Sequence, residues 1–180
     1  MEDMTSYALF GTAIGTCGLA WGDAGLLALQ LPEVTDDETR TRLTRHLDDP
    51  QEEEPPADVR AIINAVVALT EGKDVDLSQV PLDMTGLSPY RQRLYEAIRA
   101  IPPGRTRTYG QIATDLGEPG TAQAVGRAMG QNPWPIIVPC HRVVAAGGKT
   151  GGFSAYGGVS TKLRLLAIEM QHGRSDDALF

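Results

Sequence analysis

Short apolar runs separated by glycines dominate the first 31 residues. The runs cover residues 7–10, 14–21 and 26–31, and Asp23-Ala24-Gly25 has the composition of a hairpin turn. Strands of this length joined by tight turns pair antiparallel, so the pattern predicts a small antiparallel sheet. Cys17 lies inside the second run, where a free cysteine is expected to be a core residue.

The spacing of apolar residues becomes helical after the predicted sheet. Leucines four positions apart among charged residues predict a surface helix over residues 36–47, and the Pro- and Glu-rich residues 49–57 predict a loop. Apolar residues then recur at three- and four-residue steps over residues 59–69, and Gly72 follows as a stop signal. This second helix is amphipathic, and we expect it to pack on the sheet.

A segment without helical period separates the two halves of the chain. Residues 73–87 include Pro81 and Gly86, which favour an extended linker. We therefore place a domain boundary near residue 85, between an amino-terminal domain of residues 1–85 and a carboxy-terminal domain of residues 86–180. The first of these carries no recognisable chemistry.

Helix signals are frequent in the second half. Ser88-Pro89 is typical of a helix start, and Pro102-Pro103-Gly104 ends that helix. Thr108 and Gln111 form the capping-box pattern of a short helix, and residues 121–129 form another after a glycine-containing turn. The pair favours a helix-turn-helix, although any helical hairpin shows this pattern and the small residues of the second helix would equally suit packing against a neighbour.

A last helix is predicted after Ser160-Thr161, which resemble a cap. Glu169 falls near its end, where a carboxylate is unfavourable with respect to the helix dipole. A solvated side chain is one interpretation, and a partner that orients a histidine is the other. The apolar positions of this helix are Leu163, Leu166, Ile168 and Met170.

Reactive side chains concentrate in residues 136–144. A β-branched run typical of a strand buried on both faces is broken by Pro139, and Cys140 and His141 follow. A cysteine is nucleophilic as its thiolate, and a nearby histidine can supply the base. Successive side chains of a strand point to opposite faces, so we expect a bend or a bridging water between them. On this pair alone, a buried structural cysteine remains the alternative.

The charge of the chain is unevenly distributed. The net charge is −7, but residues 1–82 hold 5 Lys/Arg and 16 Asp/Glu, whereas residues 83–180 hold 11 and 7, giving −11 and +4. A phosphate-bearing partner would therefore meet the second half, while the acidic half also favours solubility.

Other classes of function are disfavoured by composition. The 180 residues contain no apolar run of membrane-spanning length, and the first residues do not resemble a signal peptide, so we expect a cytoplasmic protein without membrane association. Two cysteines, Cys17 and Cys140, do not form a disulfide scaffold, and no Cys/His cluster has metal-ligand spacing. Neither a metal nor a cofactor is predicted.

The sequence NPWPIIVPCHRVV, from Asn132 to Val144, resembles the active-site signature of the O6-alkylguanine-DNA alkyltransferases, the methylated-DNA–protein-cysteine methyltransferases. The resemblance is strong over most of the carboxy-terminal half and weak before it. It implies an α+β fold with a small amino-terminal α/β domain, whose three-stranded antiparallel sheet is ribonuclease H-like. A mostly helical carboxy-terminal domain with a winged helix-turn-helix would follow. The zinc ligands of some members are absent.

The resemblance also implies catalytic roles for four side chains. Cys140 would accept the alkyl group, His141 would activate it through a water, and Glu169 would hold the imidazole. Tyr109 would give a proton to the leaving guanine and crowd the neighbouring phosphate.

DNA contacts are implied in the same way. The second helix of the helix-turn-helix would enter the minor groove, and Gln123 stands where relatives carry an arginine that fills the space of the flipped base. We therefore predict weaker or more permissive duplex binding than in an arginine-bearing relative, with Arg127, one turn later, as the side chain that compensates. Asn132 would tie this helix to the active-site turn. The remaining implied DNA- or base-contacting residues are Thr108, Ala122, Val143 and Tyr156.

The implied function is DNA repair by stoichiometric transfer of a methyl or small alkyl group from O6-alkylguanine in double-stranded DNA to Cys140, with O4-alkylthymine as an open second substrate. A monomer without an obligate protein partner is expected. Two alternatives remain, a sensor that flips alkylated bases without transfer and a Cys-His hydrolase or redox protein. The presence of Cys140 argues against the sensor.

Overall fold

The first half is built on a sheet with helices on both faces. The structure, a computed structural model, describes residues 4–118, 122–145 and 159–177. The sheet order is β3-β2-β1-β4, with the first three strands antiparallel and β4 parallel to β1. The strands are β1 (Ser6–Thr12), β2 (Gly15–Gly22), β3 (Gly25–Gln30) and β4 (Gln51–Glu52). The predicted three-stranded meander is confirmed, whereas the loop predicted over residues 49–57 is wrong at Gln51–Glu52, where the backbone pairs with β1.

Two helices cover the sheet, α1 (Asp36–Thr44) on one face and α2 (Ala57–Thr70) on the other. Alternation along the strands places Cys17 on the α2 side, where it is fully buried as predicted, and burial raises the pKa of its thiol to about 12. On the opposite face, a Cβ at Gly18 would lie 2.7 Å from Cδ2 of Leu43, so the glycine lets α1 approach closely.

The second half is mostly helical, as predicted. Helix α4 packs against α5, and the short strands β5 and β6 pair in parallel. The elements are α3 (Pro89–Arg99), β5 (Arg107–Thr108), α4 (Tyr109–Asp115), α5 (Ala122–Gly130), a 3-10 turn (Cys140–Arg142), β6 (Val143–Val144) and α6 (Val159–Asp177). In the described part of the chain, none of the helices has the length and apolar character needed to cross a membrane.

Helix starts follow their capping residues. Ser88 accepts a hydrogen bond from the backbone of Arg91, and Thr108 and Gln111 form a reciprocal capping box at α4. These starts are confirmed because a cap depends on neighbouring residues alone, which a sequence displays directly.

The prediction for α6 is wrong in two respects. Leu165, which was not predicted, is buried, and Ile168 packs against the core as predicted, whereas Leu163 and Met170 are both 49% exposed. The helix also continues to Asp177, so Glu169 lies in its interior and not in its last turn. The buried face of α6 carries the charged side chains Lys162 and Glu169. A face with charged residues does not show the apolar spacing by which a buried helix face is recognised in a sequence.

The two halves share one continuous core. The indole Nε1 of Trp134 donates to the carbonyl of Leu26 over 2.9 Å, and the amide of Leu29 donates to Pro133 over 2.8 Å. The Trp134 ring also stacks edge-on against Tyr95, with centroids 6.0 Å apart. Strand β3 and α3 thus hold the segment that leads into the Cys-His pair.

Replacing Trp134 by phenylalanine should destabilise the protein by about 1 kcal/mol beyond the loss of ring volume, because the buried carbonyl of Leu26 loses one of its two donors and keeps only the amide of Asp83. Urea unfolding measures the free energy. Trp21→Phe is the control, since it makes the same change in the sheet. Equal losses in both variants would contradict the importance of this hydrogen bond.

Candidate active site

The segment before Cys140 is a compact turn, and the strand predicted there is wrong. Ile136 has a φ of +75°, and Cys140–Arg142 form a 3-10 turn; only Val143–Val144 pair as a strand. A β-branched residue in the left-handed region is strained, so the surroundings must impose this shape. The predicted burial is correct, because residues 136–140 are all buried.

Asn132 imposes much of that shape. Its Nδ2 donates to the carbonyl of Val138 over 2.9 Å, and its Oδ1 accepts from the amide of Trp134 at the same distance. These side-chain hydrogen bonds take the place of the backbone hydrogen bonds that a strand would make with a neighbouring strand. Three prolines, at positions 133, 135 and 139, remove backbone donors that a strand would need.

Cys140 is 3% exposed and is held as a thiol in the resting protein. Burial raises the pKa of Cys140, opposed by hydrogen bonding from Asn132 and by the charge of Lys162. A thiol with a raised pKa needs a base before it can attack an electrophile.

His141 and Arg142, which follow Cys140 in the sequence, form a buried cluster with Glu169. The imidazole Nε2 of His141 lies 2.8 Å from Oε1 of Glu169. Arg142 donates to the same carboxylate through Nη2 at 2.7 Å and Nε at 3.0 Å, and its Nη1 donates to the carbonyl of Ile101 at 2.7 Å. Burial opposes ionisation of Glu169, but His141 and Arg142 outweigh it and lower its pKa from 4.5 to about 2.

The cluster determines which imidazole nitrogen can act as a base. Burial lowers the pKa of His141, although Glu169 opposes the shift, so the ring is neutral near pH 7. An ionised carboxylate requires the proton on Nε2, which leaves a lone pair on Nδ1. Nδ1 has no hydrogen-bond partner among the described residues. The ring can therefore accept a proton there.

Lys162 is a site residue that the sequence pattern did not reveal. It is fully buried, its Nζ donates to the carbonyl of Val143 over 2.7 Å, and it lies 5.9 Å from the centre of the Tyr109 ring. A spacing of seven residues places it two turns before Glu169 on the same face of α6, which was the available signal. The sequence analysis also did not predict Arg142, which is the second hydrogen-bonding partner of the Glu169 carboxylate.

The remaining predicted residues divide into two groups. Tyr109 begins α4, directly after Thr108, and burial raises the pKa of its phenol. Gln123 and Arg127 lie on the exposed side of α5, and Ala122 is half-buried at the start of that helix. Tyr156 lies outside the described residues. In the described ranges, no group of three or more His, Cys, Asp or Glu side chains is placed to hold a metal ion.

Glu169→Gln should lower the free energy of unfolding at pH 7 by about 3 kcal/mol, because it leaves Arg142 without its buried counter-charge. The folded-state pKa is depressed, so the stabilisation is present above pH 4.5 and is lost as the pH falls toward about 2. Urea titrations should show that the difference in free energy of unfolding between wild type and Glu169→Gln becomes smaller over that pH range. Glu96→Gln, which removes an exposed partner of Arg99, should cost less than about 1 kcal/mol, and a gap independent of pH would contradict the assignment.

Comparisons of the sequence and of the structure with known proteins point to the same family. Residues 89–171 match the family model described as 6-O-methylguanine DNA methyltransferase, DNA binding domain. The methylated-DNA–protein-cysteine methyltransferase of Mycobacterium tuberculosis is 39% identical over 177 residues, 98% of this chain and 99% of that protein. A DNA base-flipping protein of Thermus thermophilus is 46% identical over 105 residues, 58% of this chain and 69% of that one.

A solved structure supports the same relationship. The crystal structure of Mycobacterium tuberculosis OGT in complex with DNA superposes with a TM-score of 0.75 at 34% identity, covering 93% of this chain and 94% of that chain. Full-length identity of this order, together with the family model over the second half, identifies the chain as a member of the methylated-DNA–protein-cysteine methyltransferase family.

Proposed function

We propose that the protein repairs double-stranded DNA by moving a methyl or small alkyl group from O6 of guanine to Cys140, once per molecule. One observation carries the proposal. A buried thiol is followed in sequence by a neutral imidazole whose Nε2 is fixed by Glu169 and whose Nδ1 is unpartnered among the described residues. This is the order of nucleophile, base and orienting carboxylate that nucleophilic catalysis requires.

The transfer begins with the thiol proton, which passes through a water to Nδ1 of His141. The thiolate of Cys140 attacks the alkyl carbon, the S–C bond forms, and the C–O6 bond breaks with its electron pair going to guanine. A thioether is not readily hydrolysed, so the protein is consumed. Glu169 stabilises the imidazolium, and Arg142 keeps that carboxylate ionised.

The leaving guanine requires a proton at its ring nitrogen, and Tyr109 is the proposed donor. Its ring lies beside the ammonium of Lys162, with 5.9 Å between Nζ and the ring centre, and this contact holds the ring in place. The carbonyl of Val143 accepts from Lys162 and, like that of Cys140, keeps a lone pair for the exocyclic amine of guanine. Lys162 is therefore a positioning residue in this scheme.

Duplex binding is assigned to α4 and α5 as a winged helix-turn-helix, with α5 in the minor groove. Both exposed side chains of α5, Gln123 and Arg127, are one turn apart and available to DNA. Gln123 would hydrogen-bond the base left without a partner when the lesion flips out. Thr108 and Ala122 would contact the backbone, and Tyr156 is assigned to the alkyl pocket on the family resemblance alone.

We propose that residues 1–85 form a supporting domain, although its core is continuous with that of the second half. The strand order β3-β2-β1-β4, with β4 parallel to β1, supports a ribonuclease H-like arrangement. Its acidic surface would face away from DNA, while the basic residues 86–180 bind it. We place the protein in the cytoplasm as a monomer.

Non-transferring recognition of alkylated bases is the second candidate, because one relative is named as a DNA base-flipping protein. Cys140 decides between the two, since a protein that only binds the lesion does not need an activated thiol. The buried cluster of His141 and Glu169 favours transfer.

Intact-protein mass spectrometry should show one added methyl group per chain, and no more, after incubation with a duplex containing O6-methylguanine. The adduct should map to Cys140, and Cys140→Ser should gain none. Cys17→Ser should react as the wild type does, because burial with a pKa of about 12 keeps Cys17 inert. Binding without added mass would favour the sensor, and turnover without added mass would favour a hydrolase.

Gln123→Arg should tighten binding to a lesion-containing duplex by about fivefold or more, because a guanidinium stacks in the vacated space and adds charge. Fluorescence anisotropy at fixed salt measures the Kd. Gln123→Lys is the matched control, since it adds charge without a planar group and should gain less. An unchanged Kd for Gln123→Arg would refute the assigned role of this position.

A further inference from the structure

A cleft of about 390 Å³ lies between the amino-terminal half and the active-site turn, and Cys140 is among the residues that line it. Strand β3 contributes Leu27 and Ala28, and the end of α1 with the following residues contributes Leu43 and Leu47. None of these belongs to the glycine-rich segment to which the family resemblance assigns the alkyl pocket. The cleft therefore connects the nucleophile with the half of the chain that has no chemistry of its own.

The walls of the cleft are mainly apolar, with Gln131 and Asn132 as polar side chains near the turn and further polar side chains at the exposed edge. Met129 and Pro135 line it from the second half. Arg42 and His46 line it at exposed positions, and Arg42 is paired with Glu33 over 3.1 Å. Because that guanidinium already has a counter-charge, the cleft favours an uncharged occupant, and its leucines, Met129 and Pro135 offer apolar contacts to one.

We propose that this cleft receives the distal part of O6 substituents larger than methyl, so that α1 and β3 set the size of the alkyl group that the protein can remove. The inference rests on the proposed transfer to Cys140. During that transfer the attacked carbon lies between sulfur and O6, and the rest of the substituent must extend to the side of that line. A space that borders Cys140 is where an apolar chain can go.

The available volume fits such a group. A water molecule takes about 30 Å³ of liquid, so the cleft has room for about 13 atoms of that size, more than a butyl chain needs. A methyl group is too small to reach the wall formed by β3 and α1, so the rate of methyl transfer should not depend on that wall. The bonds formed and broken are those of methyl transfer, with the thiol proton again accepted by His141.

Ala28→Phe tests the inference by filling the cleft from β3. Single-turnover rates are measured by mass spectrometry with duplexes carrying O6-methylguanine or O6-butylguanine. The butyl rate should fall on the order of tenfold or more, with the methyl rate within about twofold of wild type. Leu9→Phe is the matched control, because Leu9 packs on the same small cluster of the sheet but does not line the cleft, and it should leave the ratio of the two rates unchanged.

An unchanged ratio of butyl to methyl rates in Ala28→Phe would overturn the inference. If Ala28→Phe lowers the Tm and abolishes both activities, Leu47→Trp is the second test, because it fills the cleft from outside the sheet. The ratio of butyl to methyl rates is then measured in Leu47→Trp. A wild-type protein that takes methyl onto Cys140, with a ratio unaffected by either variant, would refute only the cleft. A wild-type protein that gains no methyl would instead refute the proposed function.

Discussion

The carboxylate of Glu169 is the contact on which the site depends. Moving such a charge out of water costs several kcal/mol, and attraction compensates only when hydrogen bonds occupy both oxygens. Arg142 and His141 provide those bonds, with Arg142 contacting both oxygens and His141 contacting Oε1. Helix α6 and the 3-10 turn are consequently locked together in one geometry, since any shift would leave a buried charge unpaired.

This lock also governs the reactivity of the thiol. Burial raises the pKa of Cys140, so the sulfur is protonated until a base removes its proton. His141 is available as that base because Glu169 fixes its tautomer while burial keeps it uncharged. A nucleophile that can be used once benefits from this restraint, because stray electrophiles react mainly with thiolates.

Local signals in the sequence were sufficient for much of the fold and for locating the Cys-His pair that we propose as nucleophile and base. The caps at Ser88 and Thr108 involve residues close in sequence, and the Cys140-His141 pair is explicit. The strand predicted over residues 136–139 failed because Asn132 and the prolines override β propensity, which is a tertiary effect. Lys162 was missed because a lysine is almost never fully buried unless its charge is paired, and its partner, the carbonyl of Val143, becomes apparent only in the folded chain.

The amino-terminal half holds the elements of the site in place through hydrogen bonds to the active-site segment and to α6. Strand β3 binds the active-site segment through Leu29 and Pro133, and Arg164 of α6 donates to the carbonyl of Ala13 over 2.6 Å at the turn between β1 and β2. Both elements that meet at Glu169 are therefore attached to one sheet. A rigid sheet keeps the distance between them constant, which matters because small displacements of catalytic groups cost large factors in rate. The acidic half of the chain thus supports the active-site segment and α6 of the basic half.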